Sequence, residues 1–82
     1  MNGKEQEKKE RLRIQKQFGN HLIKLRKEKK ITPAELARRC FMERSSIARL
    51  EMGRTLPSLY MLKKIADGLE IDIQDILHGF KV

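Results

Sequence analysis

Apolar residues recur along this chain at helical rather than strand spacing. Ile14, Phe18, Leu22 and Leu25 share one face at steps of three and four. Leu36, Ala37 and Cys40 form a second stripe, and Ile47 and Leu50 a third. Leu59, Leu62, Ile65, Ala66 and Leu69 make a fourth, and Ile73, Ile76 and Leu77 a short fifth. These stripes predict five helices and no strand, an all-α domain closed around Leu36 and Ile47. The polar residues between them mark the ends. Thr32 is placed to cap the second helix, with Pro33 at its first position and Glu35 completing a capping box. Gly53 is expected to stop the third helix, Ser58 to cap the fourth, which should end near Gly68, and Asp72 to cap the fifth. The first helix is expected to begin near Ile14.

The second and third stripes belong to one segment, TPAELARRCFMERSSIARLEMGR, Thr32 to Arg54. It reads as two short helices joined by a tight connection. A third helix from Arg44 to about Met52 buries Ile47 and Leu50, and its other side carries Ser45, Ala48, Arg49 and Met52 with Arg44 on the flank. Arginine bonds guanine in bidentate fashion, and alanine touches a thymine methyl in the major groove. On an isolated basic helix such a face is ordinarily just solvated. The preceding helix and its connection turn the balance toward a DNA-reading pair. On the second helix, Arg38 and Arg39 point away from the apolar stripe, toward water or phosphate.

Charge sharpens this picture. The 82 residues suit one small domain, and 19 Lys or Arg against 11 acids give a net charge of +8. Lys24 to Arg54 carries ten Lys or Arg against four Glu, whereas Thr55 to Val82 carries three Lys against four acids. A basic half suits a polyanion, and a near-neutral half suits something else.

With these segments in view, the chain resembles the Cro/C1-type (XRE) helix-turn-helix family. The likeness runs from about Phe18 to Leu77, nearly three quarters of the chain. It rests on LIKLRKEKKIT, ELARRC, RSSIARLEMGR and Pro57-Ser58, in that order and spacing. The resemblance implies a compact five-helix, lambda-repressor-like DNA-binding domain and a transcriptional regulator, most often a repressor. It implies that Thr32 bonds a phosphate from the start of the second helix. It implies that Arg44, Ser45 and Arg49 contact base edges, beside Ala48 on the same face. Arg54 and Thr55 would contact the DNA backbone, and Arg38 and Ser46 complete the expected backbone set. Arg26 and Glu51 would form a buried ion pair locking the third helix onto the first. The chain departs from the family at three places. Pro33 stands where glutamine is common, Phe41 where the turn usually has glycine, and Glu43 where Ser or Thr usually caps the third helix.

Two regions lie outside the motif. Residues 1–13 are a charged leader, read either as a basic arm that reaches DNA or as a disordered solubilising tail, fraying from or extending the first helix. Residues 14–82 are the expected DNA-binding domain. One recognition helix spans few base pairs, so a homodimer on a pseudo-palindromic site is expected. Leu69, Ile71, Ile73, Ile76 and Phe80 are the candidate dimer surface.

The remaining chemistry points away from catalysis. The single Cys40 excludes an intrachain disulfide or cysteine cluster, and its place on an apolar face reads as core. His21 and His78 pair with no nucleophile or metal-ligand set, nothing activates Ser45 or Ser46, and no glycine-rich phosphate loop is present. No metal or cofactor is implied. No apolar run suggests a signal peptide or membrane span, so a cytoplasmic, DNA-associated protein is expected, without a membrane partner or a ligand-sensing domain. The alternative function is an antitoxin or adaptor that uses the same fold to bind a protein partner such as a toxin.

Overall fold

In the computed structural model, which describes residues 2–80, the chain forms five α-helices and a closing 3-10 turn, with no strand among the described residues. They are α1 (Gly3–Glu28), α2 (Pro33–Cys40), α3 (Arg44–Glu51), α4 (Leu59–Leu69) and α5 (Ile73–Leu77), followed by the turn His78–Phe80. Residues 1, 81 and 82, the outer ends of the two expected segments, lie outside the described residues.

The first helix starts at Gly3, well before Ile14. Asn2 caps it, its side-chain oxygen accepting the Glu5 N–H at 2.9 Å. Lys, Glu, Gln and Arg fill the next turns, and each is a strong helix former. The apolar stripe marks only the part of this helix that has a neighbour to pack on, which is why periodicity places the start too late.

The core gathers Phe18 and Leu22 of α1, Leu36 and Cys40 of α2, Ile47 and Leu50 of α3, Ile65 and Leu69 of α4, and Ile76 of α5. Here α1 packs on α3, α2 packs on α3 and α4, and α5 closes the base against α4. Phe80 returns the chain to α1 by stacking its ring on Phe18 at 4.9 Å. Gly19 permits a close approach of α1 to the end of α3. A Cβ there would stand 2.6 Å from the Leu50 carbonyl oxygen and 2.7 Å from that of Glu51. His21 adds a second tie, its Nε2 donating to the Asp75 carbonyl at 2.6 Å.

This packing takes Leu69 and Ile76 out of the expected dimer surface. Leu69 and Ile76 are fully buried within one chain, and Phe80 is engaged with Phe18. Ile71 and Ile73 are half-buried against the same core. The short α5 closes the core by turning Ile76 inward, while Ile71, Ile73 and Phe80 keep part of their surface open. Leu59 and Leu77 move the other way and are exposed. They stand at the first residue of α4 and the last of α5, at the edges of the packed layer. The fourth helix ends at Leu69, next to Gly68 as expected; Gly68 itself lies where α2 packs closely, and the left-handed residue that terminates the helix is Glu70.

Candidate nucleic-acid interface

Helix α2 begins at a well-formed cap. The Thr32 hydroxyl oxygen accepts the Glu35 N–H at 3.1 Å, and Pro33 follows at the first helical position. Thr32 is exposed, and its hydroxyl proton remains available to donate outward at the positive end of the α2 dipole. The reciprocal half of the expected capping box is not made. The Glu35 carboxylate turns instead to Arg38, whose Nε lies at 2.9 Å, and to Arg39 at 3.2 Å. These hydrogen bonds hold the carboxyl down at about 2. They also raise the Arg38 pKa, so the arginine expected on phosphate already shares its charge with a neighbour.

The connection to α3 turns on Phe41. It adopts the left-handed conformation, φ 55° and ψ 44°, that the family usually gives to glycine. The Met42 N–H reaches back to the Ala37 carbonyl at 2.9 Å, which is the helix-ending arrangement expected around such a residue. The turn therefore keeps the family register and accommodates a bulky residue in a strained backbone. The Phe41 ring itself is 88 % exposed.

Helix α3 starts at Glu43, whose side chain makes no capping hydrogen bond. Its carboxylate lies 3.5 Å from Ser45 Oγ. Ile47 and Leu50 face the core, leaving Arg44, Ser45, Ala48, Arg49 and Met52 exposed on the other side. Ser46 is half-buried at the edge of this face, with Arg49 Nη2 at 3.4 Å from its Oγ. The structure thus brings together on one outward surface the four residues expected at base edges.

Behind that surface, α1 holds both the end of α3 and the loop that follows. Arg26 donates from Nε to Glu51 Oε2 at 2.7 Å, from Nη2 to Oε1 at 3.1 Å, and from Nη1 to the Ile31 carbonyl at 2.9 Å. The pair is nearly enclosed, with side-chain exposures of 12 % and 10 %. Three turns earlier on α1, Gln15 is buried and donates from Nε2 to the Gly53 carbonyl at 3.0 Å. Gly53 has φ 71°, and a Cβ on it would stand 3.0 Å from Lys16 Cα, so glycine lets the chain turn hard against α1. Arg54 follows, exposed, its N–H bonded to the Arg49 carbonyl at 2.9 Å, and then comes half-buried Thr55. Sequence reasoning missed Gln15 and Gly19. The signal was available: both lie on the helical line of Phe18 and Leu22, where a polar residue or a glycine has no place on grounds of apolar packing.

Other chemistry is sparse. Burial pushes the Cys40 thiol up to about 11, so it stands protonated in the core. Among the described residues, no three His, Cys, Asp or Glu side chains gather closely enough to hold a metal ion, and no helix is long and apolar enough to cross a membrane.

Known proteins with this pattern have been described. The family described as Helix-turn-helix matches residues 22–76. The immunity repressor protein of Bacillus phage phi105 is 36 % identical over 59 residues, which cover 72 % of this chain and 41 % of that protein. The chain therefore spans about two fifths of that relative's length. The crystal structure of the restriction-modification controller protein C.AhdI from Aeromonas hydrophila superposes with a TM-score of 0.73 at 29 % identity, over 76 % of this chain and 94 % of that one. A helix-turn-helix family transcriptional regulator from Vibrio cholerae gives 0.78 at 25 % identity, over 83 % of this chain and 38 % of that one.

Proposed function

The chain belongs to the Cro/C1-type helix-turn-helix family, and from that premise we propose that it is a sequence-specific, double-stranded DNA-binding transcriptional regulator that acts as a repressor. One observation carries the reading. The exposed face of α3 presents Arg44, Ser45, Ala48 and Arg49, while a buried ion pair anchors the same helix from behind. A helix fixed in this way can enter a major groove without losing its orientation. Arg44 and Arg49 reach guanine edges, Ser45 bonds a neighbouring base, and Ala48 lies against a thymine methyl. Thr32, Ser46, Arg54 and Thr55 position the helix through phosphates, joined by Arg38 when it exchanges Glu35 for the backbone. The cations supply salt-sensitive affinity common to all sequences.

Two copies on a two-fold site would give the specificity that one short helix lacks. An adaptor or antitoxin that bound only protein would have no need of arginines on this face, which favours DNA. The test is selection from a randomised duplex library at near-physiological salt, with stoichiometry measured on the enriched site. A two-fold motif bound by two chains is the expected result. Salt-sensitive binding with no enriched motif would overturn the reading and put a protein partner first.

A further inference from the structure

The first turns of α1 extend beyond the packed helices, and the recognition surface makes no use of them. Residues 2–12 are exposed throughout, and the molecule is 42 Å long against 24 and 21 Å across. Lys4, Lys8 and Arg11 fall at steps of four and three, and the same line continues through Gln15, Phe18 and Leu22. At the helical repeat, Lys4, Lys8, Arg11 and Gln15 lie within an arc of about 60°. Glu5, Glu7 and Glu10 fall outside it. Glu10 is held by Arg13 at 2.6 Å, and among the described residues no carboxylate lies within ion-pair distance of Lys4, Lys8 or Arg11.

The direction of this line is set by what its neighbours touch. Gln15 bonds Gly53, and Gly19 lies against the Leu50 and Glu51 carbonyls, so α3 and its exit loop sit on this side of α1. The Arg44–Arg49 face is the side of α3 turned away from the core. Where α3 ends, the same side of α1 is uncovered. The three cations therefore stand on the side of α1 that carries α3, N-terminal to the turn where Gln15 holds the α3 exit loop. From Lys4 to Arg11 the line rises about 10 Å, the axial rise of about three phosphates on one strand. Between residues 4 and 15 no apolar residue falls within the arc, which suits a polyanionic rod and not a protein groove.

We propose that Lys4, Lys8 and Arg11 form a phosphate-binding line that holds duplex DNA flanking the stretch read by α3. The proposal rests on the reading of α3 as the groove helix. It makes the footprint longer than the helix-turn-helix alone would cover.

Two charge-matched double variants test it. Lys8→Gln with Arg11→Gln removes two cations from the line, and Lys9→Gln with Arg13→Gln removes two from the opposite side of the same helix. Glutamine keeps the helix propensity, and circular dichroism checks that α1 persists. Binding is measured against salt on mixed-sequence duplexes of about 12 and about 30 base pairs, near one and three helical turns. On the long duplex the first variant should flatten the plot of log K against log salt by about 1.8, as expected for two lost phosphate contacts. On the short duplex its slope should stay near that of the unaltered protein, and the opposite-side variant should stay near it on both. Equal slopes for the two variants on the long duplex would overturn the proposal, since net charge alone would then account for the effect. So would an equal flattening by the first variant on both lengths. Arg49→Ala reports separately on α3. If it changes no sequence preference while the face- and length-dependent slope remains, groove reading by α3 fails and the phosphate line stands.

Discussion

Glu51→Ala probes the joint on which the recognition helix rests. In the folded protein Arg26 gives two hydrogen bonds to the Glu51 carboxylate and one to the Ile31 carbonyl, inside a seam that leaves each side chain about a tenth exposed. The substitution removes two of those three acceptors and strands a guanidinium between α1 and α3. Breaking a buried pair from one side costs about 3–5 kcal/mol. Some water still reaches this pair, so the lower end applies, about 3 kcal/mol. A domain of this size loses about 4–8 °C of melting temperature per kcal/mol, so the midpoint should fall by about 12–24 °C. Urea unfolding should show the same loss with an unchanged slope. Arg26→Met combined with Glu51→Leu should recover most of it, because no charge is then left unpaired. DNA binding separates two explanations further. Glu51→Ala adds a net positive charge, which by itself would tighten binding to any duplex. Loss of the joint should instead weaken binding to the preferred site, after correction for the folded fraction. A midpoint within about 3 °C of the unaltered protein, or a double variant no better than the single one, would refute the argument.

The other tests divide the surface. Arg49→Ala should cost roughly 1–3 kcal/mol on the preferred duplex and relax discrimination, whereas Arg54→Ala should weaken all sequences alike and lower the salt slope by about 1. Competition titrations on preferred and scrambled duplexes distinguish the two patterns, and a uniform loss for Arg49→Ala would remove it from base reading. Phe41→Gly should raise stability by about 1 kcal/mol in chemical denaturation, because it relieves a left-handed backbone and gives up a ring that touches almost nothing; a loss of stability would mean that the ring is packed in solution. Glu35 titrates at about 2 in the folded chain against 4.5 ordinarily, so its pairing contributes above pH 4.5 and fades as pH falls toward 2. Glu35→Gln should therefore remove a component of acid sensitivity in that window, read from melting temperatures across the pH range, and an unaltered acid limb would show that Arg38 and Arg39 hold it only weakly in solution.

The helices and most of the core were legible because helical periodicity and capping chemistry act locally. Thr32, Ser58 and Asp72 each cap the helix that follows by accepting a backbone N–H, as their residue types dictate. What stayed illegible depends on what lies across the fold. Leu69 and Ile76 look like spare apolar surface until α5 is seen to close the base of the core with them. The fourth helix does end near Gly68, but the glycine itself is where α2 packs closely, and the left-handed residue after the helix is Glu70, whose side chain favours no such turn. Glu35 stands in the right place for a capping box, yet two arginines one turn on offer it charge-assisted bonds, and these win over a neutral N–H. On the recognition face, the residue types and their rotation could be read directly. What holds that face, apart from the Arg26–Glu51 pair, could not, because Gln15 and Gly53 are separated by 38 positions and by the whole of α2 and α3.

One helix then explains why the motif can be so short. Helices α2 and α3 have eight residues each, below the length at which a helix stands alone in water. The geometry of α3 is borrowed from α1, which spans 26 residues and touches α3 and its exit loop at three levels. Arg26 grips Glu51, Gly19 admits the last carbonyls of α3, and Gln15 grips the loop beyond. Those three levels fix the tilt of α3 along its C-terminal end, while its uncapped N-terminus, bearing Arg44 and Ser45, stays the least constrained part. Adaptation to the groove should therefore occur at the N-terminus of α3, with Arg49 and Arg54 held as the rigid reference. Amide exchange in the DNA-free protein would show this as faster opening at residues 44–46 than at residues 50–53. The reverse order would mean that α1 does not set the orientation of the recognition helix.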